Sequence, residues 1–294
     1  MLVRPVLLAA TLLACLSHAP TAHAYCRTHT DDPRQSTCPE LCENDGTPLA
    51  WGTSDIAYGF NQLGFPGLSD ERLRKTIEAS FQAWEGVQCD GRELGFHTSQ
   101  IPGTTPLGLG PEESEPNENV IVLYDPVAWA AQDNSARAFA VTAVWFCPTG
   151  AKTCTVGEIL GADISFNGGM GEYGDCAVDT CSSAGPTADL QNVATHEIGH
   201  FFGLSHSDVA GSTMYCDAQA ADTDKRSLAP DDVAGICASY PHATAFPHDR
   251  EGGSGGGCNV GDGCSTGGGS SPLTLLGVLA VVLSLVHRRR RSAP

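Results

Sequence analysis

The sequence predicts an α+β fold: β-strands with helices packed on them, ending in a helical C-terminal stretch. Three observations carry this. Runs rich in β-branched and aromatic residues recur between residues 49 and 167. One amphipathic helix is set among them, and two more helical stretches follow. The first of those two leads into a segment with three of the chain's ten histidines within eleven residues. Strands and helices that alternate in this way form layers around one core.

The elements follow in order. "LAWGTSDIAYGFN" (Leu49 to Asn61) reads as a strand. "SDERLRKTIEASFQAWEG" (Ser69 to Gly86) is a helix, with Ser69 as N-cap and acidic residues in its first turn. Its apolar stripe, Leu73, Ile77, Phe81 and Trp84, is core packing. Further strands start at Leu94 ("LGFHTS"), Asn119 ("NVIVLYD") and Ala138 ("AFAVTAVWF"), and "EILGADISFN" covers Glu158 to Asn167. The acidic loop "GPEESEPNEN" before the Asn119 strand offers carboxylates to calcium. Charge runs are ordinarily just solvated, so Ca²⁺ stays unassigned. A helix covers "TADLQNVATHEIGHFFG", and a last one covers "APDDVAGICASY" with Pro230 in its first turn.

The 294 residues suffice for one ordinary domain with appendages. Residues 1–24 read as a signal peptide: Arg4, the apolar run "PVLLAATLLACL", then "AHA" before Tyr25. "LLAC", ending at Cys15, is a competing lipoprotein-like box. Residues 25–48 form a polar, Cys-containing extension, and 49–241 the main domain. Residues 242–271 are a Gly/Ser-rich linker with Cys258 and Cys264; 272–294 are an apolar segment and an arginine cluster. Net charge is −18, and −23 without Arg4 and Arg288 to Arg291. The acidic middle argues against nucleic acid or anionic lipid as partners.

Ten cysteines lie between the signal and the linker, an even set that reads as up to five disulfides in an exported domain. Cys147/Cys154 and Cys176/Cys181 are each spaced to close a short loop. No CxxC pair with a matching second pair offers a cysteine zinc site. The apolar run Leu273–Val286 has 14 residues, short of the roughly 20 that a spanning helix needs. With the arginines kept on the cytoplasmic side, it reads as a transient transmembrane anchor, or else a permanent one.

The chemistry is concentrated in "HEIGHFFGLSH". His196 and His200 are four apart, on one helix face, about 6 Å apart along the axis. On a continued helix His206 would lie about 15 Å beyond His196, out of reach of a shared ion. Gly203 is placed to turn the chain back, because glycine accepts positive φ. Three imidazoles suit Zn²⁺ and leave a fourth position open, the mark of a catalytic site. Glu197 sits beside the metal face, where it can take a proton from zinc-bound water and pass it to the leaving amine. Ile198 and Phe202 point away, toward a core.

The extended pattern HExxHxxGxxH, all of it matched here, resembles the metzincin metallopeptidases. Ser207 after the third histidine resembles the matrixin branch, and Met214 in "STMY" resembles the Met-turn under the zinc. "LAPDDVAGICASYP" resembles the matrixin closing helix. The resemblance covers about residues 49 to 241 and is most specific from His196 to Met214. It implies a zincin fold: a twisted, mostly parallel mixed sheet on two helices, with a small helical C-terminal subdomain below the cleft. It also implies that "AFAVTAVWF" is an edge strand aligning a peptide by strand addition, an ordinary strand being the alternative.

This chain departs from the family in several ways. Between Tyr25 and Leu49 there is no cysteine-switch motif. Cys26, Cys38 and Cys42 are expected in disulfides rather than on the zinc. The histidines of the family's structural zinc are missing, so one zinc is expected. Tyr215 is not assigned as a ligand, and His97, His242 and His248 have no partner at metal spacing. The tail resembles a MYXO-CTERM sorting signal, which implies export, processing near Cys264 and delivery to the cell surface. The reading is thus an exported zinc endopeptidase acting on proteins or peptides, its oligomeric state open with a monomer as the simplest expectation. His196, His200 and His206 are its ligands, and Glu197 is its base and acid. A non-proteolytic cell-surface adhesion or binding protein that keeps the fold is the alternative, and a metal scavenger would need a closed four-ligand site.

Overall fold

The computed structural model describes residues 25–31, 42, 46–61, 65, 67–105, 119–132, 134–152, 154–181, 187–241 and 279–287. The signal segment with Cys15, Cys38, the acidic residues 110–118, the linker with Cys258 and Cys264, His242, His248 and Arg288 to Arg291 lie outside the described residues.

The first expected strand is two, β1 (Ala50–Trp51) and β2 (Asp55–Phe60), because the chain bends through Gly52 to Ser54. Helix α1 (Asp70–Glu85) starts at Ser69, whose side chain accepts from the Arg72 amide. Its stripe Leu73, Ile77, Phe81 and Trp84 is buried. The short hairpin β3 (Gln88–Cys89) and β4 (Arg92–Glu93) precedes β5 (His97–Gln100), which starts three residues later than expected. After β6 (Asn119–Tyr124) comes an unexpected helix, α2 (Pro126–Ala131). Asp125 caps it and Pro126 opens it. Strands β7 (Ala138–Phe146) and β8 (Glu158–Asn167) match their expected spans. The small pair β9 (Tyr173–Gly174) and β10 (Ala188–Asp189) leads into α3 (Leu190–Phe201). The chain closes with β11 (Asp217–Ala218), a 3-10 turn at Asp224–Arg226, α4 (Pro230–Ser239) and β12 (Leu279–His287).

The main sheet runs β11-β12-β7-β8-β6-β2-β5, with β1 also on β8. From β5 to β8 all pairs are parallel, and β7 is antiparallel to β8. The expected mostly parallel mixed sheet is therefore present. One feature differs from expectation. β7 is not a free edge, because β12 pairs with it antiparallel, Leu279 opposite Phe146 through Val286 opposite Ala138. Most of the apolar run read as a membrane anchor is thus a strand here. No helix among the described residues is long and apolar enough to cross a membrane.

Alternation along the strands separates two cores. Ile121 and Leu123 face the main core with α1 and α3, whereas Val122 and Tyr124 join Trp129 of α2 in a smaller one. Two indole N–H groups fix α3. Trp84 of α1 donates to the Thr195 carbonyl at 2.8 Å, and Trp51 of β1 to the Phe201 carbonyl at 2.8 Å.

Four disulfides join described cysteines: Cys26–Cys42, Cys89–Cys237, Cys147–Cys154 and Cys176–Cys181. Cys216 is disulfide-bonded as well. The two short loops pair as their spacing implied, and Cys89–Cys237 ties the region after α1 to α4.

The start of α3 is held by charge. Asp189, its N-cap, accepts from the Asn192 amide at 2.7 Å and from Arg226 Nε at 2.8 Å. Arg226 also bridges to Asp175. The Asp189 side chain is fully buried. Removing its cation leaves that charge uncompensated, so Arg226→Met is expected to cost about 3 kcal/mol in urea unfolding, the lower end for a broken buried pair.

Candidate metal centre

His196 and His200 project from one face of α3, as their spacing requires. The helix stops at Phe201, and Gly203 takes φ +85°, turning the chain toward His206. Conformation is only half the reason for glycine there. A Cβ would strike the Leu49 carbonyl and press on Ile159. The N-terminal extension lies along the same turn: Thr28 N–H donates to the Gly203 carbonyl at 2.9 Å, and Ser205 N–H to the Cys26 carbonyl at 2.9 Å. Residues 25–31 are thus packed onto the domain.

The three histidines meet. Each offers a ring nitrogen, these atoms lie within 4.8 Å of one another, and all three residues are buried. They are the one group of three or more potential metal-ligating side chains among the described residues, with no fourth member. His97 is exposed on β5. His196 Nδ1 lies 2.6 Å from the Thr213 carbonyl, and His200 Nδ1 lies 2.8 Å from the Leu204 carbonyl. A carbonyl can only accept, so each Nδ1 carries the proton and each Nε2 presents a lone pair.

The two Nε2 atoms lie 3.1 Å apart. Two facing lone pairs repel, and a shared cation satisfies both. Imidazoles bound tetrahedrally to one Zn²⁺ place their nitrogens about 3.3 Å apart. The donor set therefore fits zinc. Burial drives the His200 imidazolium pKa down to about 3; burial, with Lys225 and the other two histidines, holds His196 well below its ordinary value. Both rings are neutral near pH 7, as ligands must be.

Sequence reading did not find the residues that hold this cluster. Thr142 Oγ1, on β7, is 2.7 Å from Glu197 Oε2 and 3.1 Å from the Glu197 carbonyl; its single proton serves the shorter contact. Its signal was a lone hydroxyl in the middle of "AFAVTAVWF". Asp232, at the third position of α4, accepts from Thr213 N–H at 2.7 Å, Met214 N–H at 2.9 Å and Ala229 N–H at 2.7 Å. Burial raises its carboxyl pKa against the pull of those amides. The signal was the second aspartate of "APDD", placed to reach back to the helix start.

Met214 is buried against α3 at Gly199, where a Cβ would collide with Met214 Sδ and Trp84. Ser207 Oγ donates to Asp231 at 2.6 Å, tying the residue after the third histidine to α4. Lys225 is buried behind His196. Its Nζ donates to the Tyr215 carbonyl and lies 3.4 Å from His196 Nδ1, whose proton is already directed to the Thr213 carbonyl. Burial lowers its pKa to about 7, against the pull of Asp232, Glu197, Asp217 and Asp222.

Comparison with known proteins points to the same segment. Residues 127–241 match the family model for Matrixin. The human protein Neutrophil collagenase is 38% identical over 79 residues, 26% of this chain and 17% of that protein. Matrilysin of Rattus norvegicus is 50% identical over 48 residues, 16% of this chain and 18% of its own length. Metalloendoproteinase 1-MMP of Arabidopsis thaliana is 44% identical over 62 residues, 21% of this chain and 17% of that protein. The likeness spans less than a fifth of each of these relatives.

Two outcomes follow from the packing and the protonation states. Gly199→Ala forces Met214 and Trp84 apart; an overpacking cost of about 1–3 kcal/mol is expected in urea unfolding, with weaker zinc retention against a chelator. In the metal-free chain, His200 has a folded pKa below its unfolded value of about 6.5. The unfolded state then gains protons first as pH falls, so the urea midpoint should drop between pH 7 and pH 5. A flat profile over that window would contradict the buried neutral imidazoles.

Proposed function

We propose that this chain is a zinc-dependent endopeptidase that hydrolyses peptide bonds of protein or peptide substrates. The observation that carries the reading is the facing pair of Nε2 lone pairs on α3, with His206 beside them and the Glu197 carboxylate next to the first ligand. His196, His200 and His206 would hold one zinc ion. Bound there, zinc supplies a Lewis acid that polarises a carbonyl and acidifies water. Glu197 takes the proton of the attacking water and delivers it to the leaving amine. The Thr142 hydroxyl orients that carboxylate by donating to Oε2. Thr213 and Leu204 fix the tautomers, and Met214 with Gly199 forms the floor of the site. Calcium stays unassigned.

The likeness to proteins named metalloendoproteinase, collagenase and matrilysin supports this reading. An adhesion protein on the same fold has no use for a carboxylate at position 197 held by a hydroxyl, and a scavenger needs a fourth ligand. Export is part of the proposal, supported by four disulfides among the described residues, which persist in oxidising compartments. Delivery to the cell surface or release from it belongs to the same reading.

The test is zinc content and cleavage of unfolded protein, with and without chelator, on the full chain and on the chain cut within the Gly/Ser linker. Glu197→Ala is expected to keep one zinc per chain and to lose at least about 100-fold in kcat/KM, the scale of a general base. Cut chain that binds zinc and cleaves nothing would favour the adhesion alternative.

A further inference from the structure

We propose that residues 279–287 act as an internal strand that occupies the peptide-aligning edge of the site, so that the full chain is latent until this segment leaves. The proposal rests on the endopeptidase reading above.

The argument is one of backbone placement. β8 satisfies one side of β7, and the other side would offer a row of unpaired N–H and C=O groups, a ready template for another strand. β12 takes that side, antiparallel, from Leu279 opposite Phe146 to Val286 opposite Ala138. It also runs parallel to β11, with Val286 opposite Asp217 and His287 opposite Ala218. β11 begins three residues after Met214. β12 therefore lies in a slot between the strand that carries Thr142 and the segment that leaves the floor of the metal cluster.

Its register puts it at the level of the chemistry. Leu283 pairs with Thr142, the residue whose hydroxyl holds Glu197 Oε2. An endopeptidase must take its substrate as an extended chain, and strand addition supplies affinity through main-chain bonds alone. The segment "LAVVLSLV" has the composition for this: uncharged, rich in β-branched residues and free of proline and glycine. Tethered to the same chain, it competes with an incoming peptide at an effective concentration on the order of millimolar. Removal of the tail would then be the step that opens the edge.

The test keeps the full chain and disables pairing. In a variant with Val282→Pro and Leu283→Pro, adjacent residues of a strand point their N–H groups to opposite sides, so one proline removes a ladder donor whichever side faces β7. Hydrogen exchange of the β7 amides and kcat/KM on an unfolded protein are measured on both zinc-loaded chains. A synthetic Leu279–His287 peptide is titrated into the variant. Faster exchange in β7, at least about tenfold higher kcat/KM and competitive inhibition by the peptide are expected, a tenfold change being a modest share of what millimolar self-competition allows. Equal exchange and equal cleavage in the two chains overturn the proposal. So does mass spectrometry showing that the chain cuts itself within 279–287, which would make the segment a substrate. Faster exchange with no cleavage by either chain removes the latency together with the endopeptidase reading, while the strand pairing itself stands.

Discussion

The hydrogen bond from His196 Nδ1 to the Thr213 carbonyl joins the two halves of the site. It sets the tautomer of a candidate ligand, and it pins α3 to the turn that carries Met214. That turn is itself hung from α4, because Asp232 takes the amide protons of Thr213 and Met214 together. Gly199 completes the arrangement by leaving room for Met214 against the helix backbone. The helix, the turn and the closing helix each hold the position of the next, so loosening any one should be felt at the imidazoles. Short bonds to a buried ligand's far nitrogen commonly tune metal affinity in this way.

What could be read from the sequence was what is local. The α1 stripe and its Ser69 cap depend on spacing within one helix, and the structure buries those four apolar residues. The meeting of His196, His200 and His206 was legible for the same reason, since helical geometry and one glycine suffice to bring them together. The supporting residues were not, because their partners are remote. Thr142 reaches Glu197 across 55 residues, Lys225 nears His196 across 29, and Asp232 holds Met214 across 18. α2 has only six residues, too few to show a period, although Asp125 and Pro126 marked its start. The apolar run at 273–286 was read from hydropathy, which cannot by itself separate a span from a strand buried beside another. Only the edge of β7 decides between them.

The N-terminal extension shows how a segment without periodicity can still be structural. Residues 26–28 bond to residues 203–205, flanking the turn that delivers His206, and Cys26–Cys42 fastens the extension to itself. Cys89–Cys237 fastens α4 to the region after α1 from the other side. Chain segments distant in sequence are thereby tied around the metal cluster, in a domain whose charge is strongly negative and whose folding would suffer in a reducing compartment.

The Thr142 hydroxyl has a consequence for how a peptide would be felt. It sits on the strand to which an extended chain would pair, and it touches the carboxylate that would handle the proton. Docking and chemistry on the proposed mechanism thus share one backbone. A peptide long enough to lie along β7 steadies the strand that aims Glu197, whereas a short one leaves that aim to the strand's own stiffness. Length of substrate would then be converted into turnover as well as affinity, the way binding energy far from a scissile bond is put to use at it.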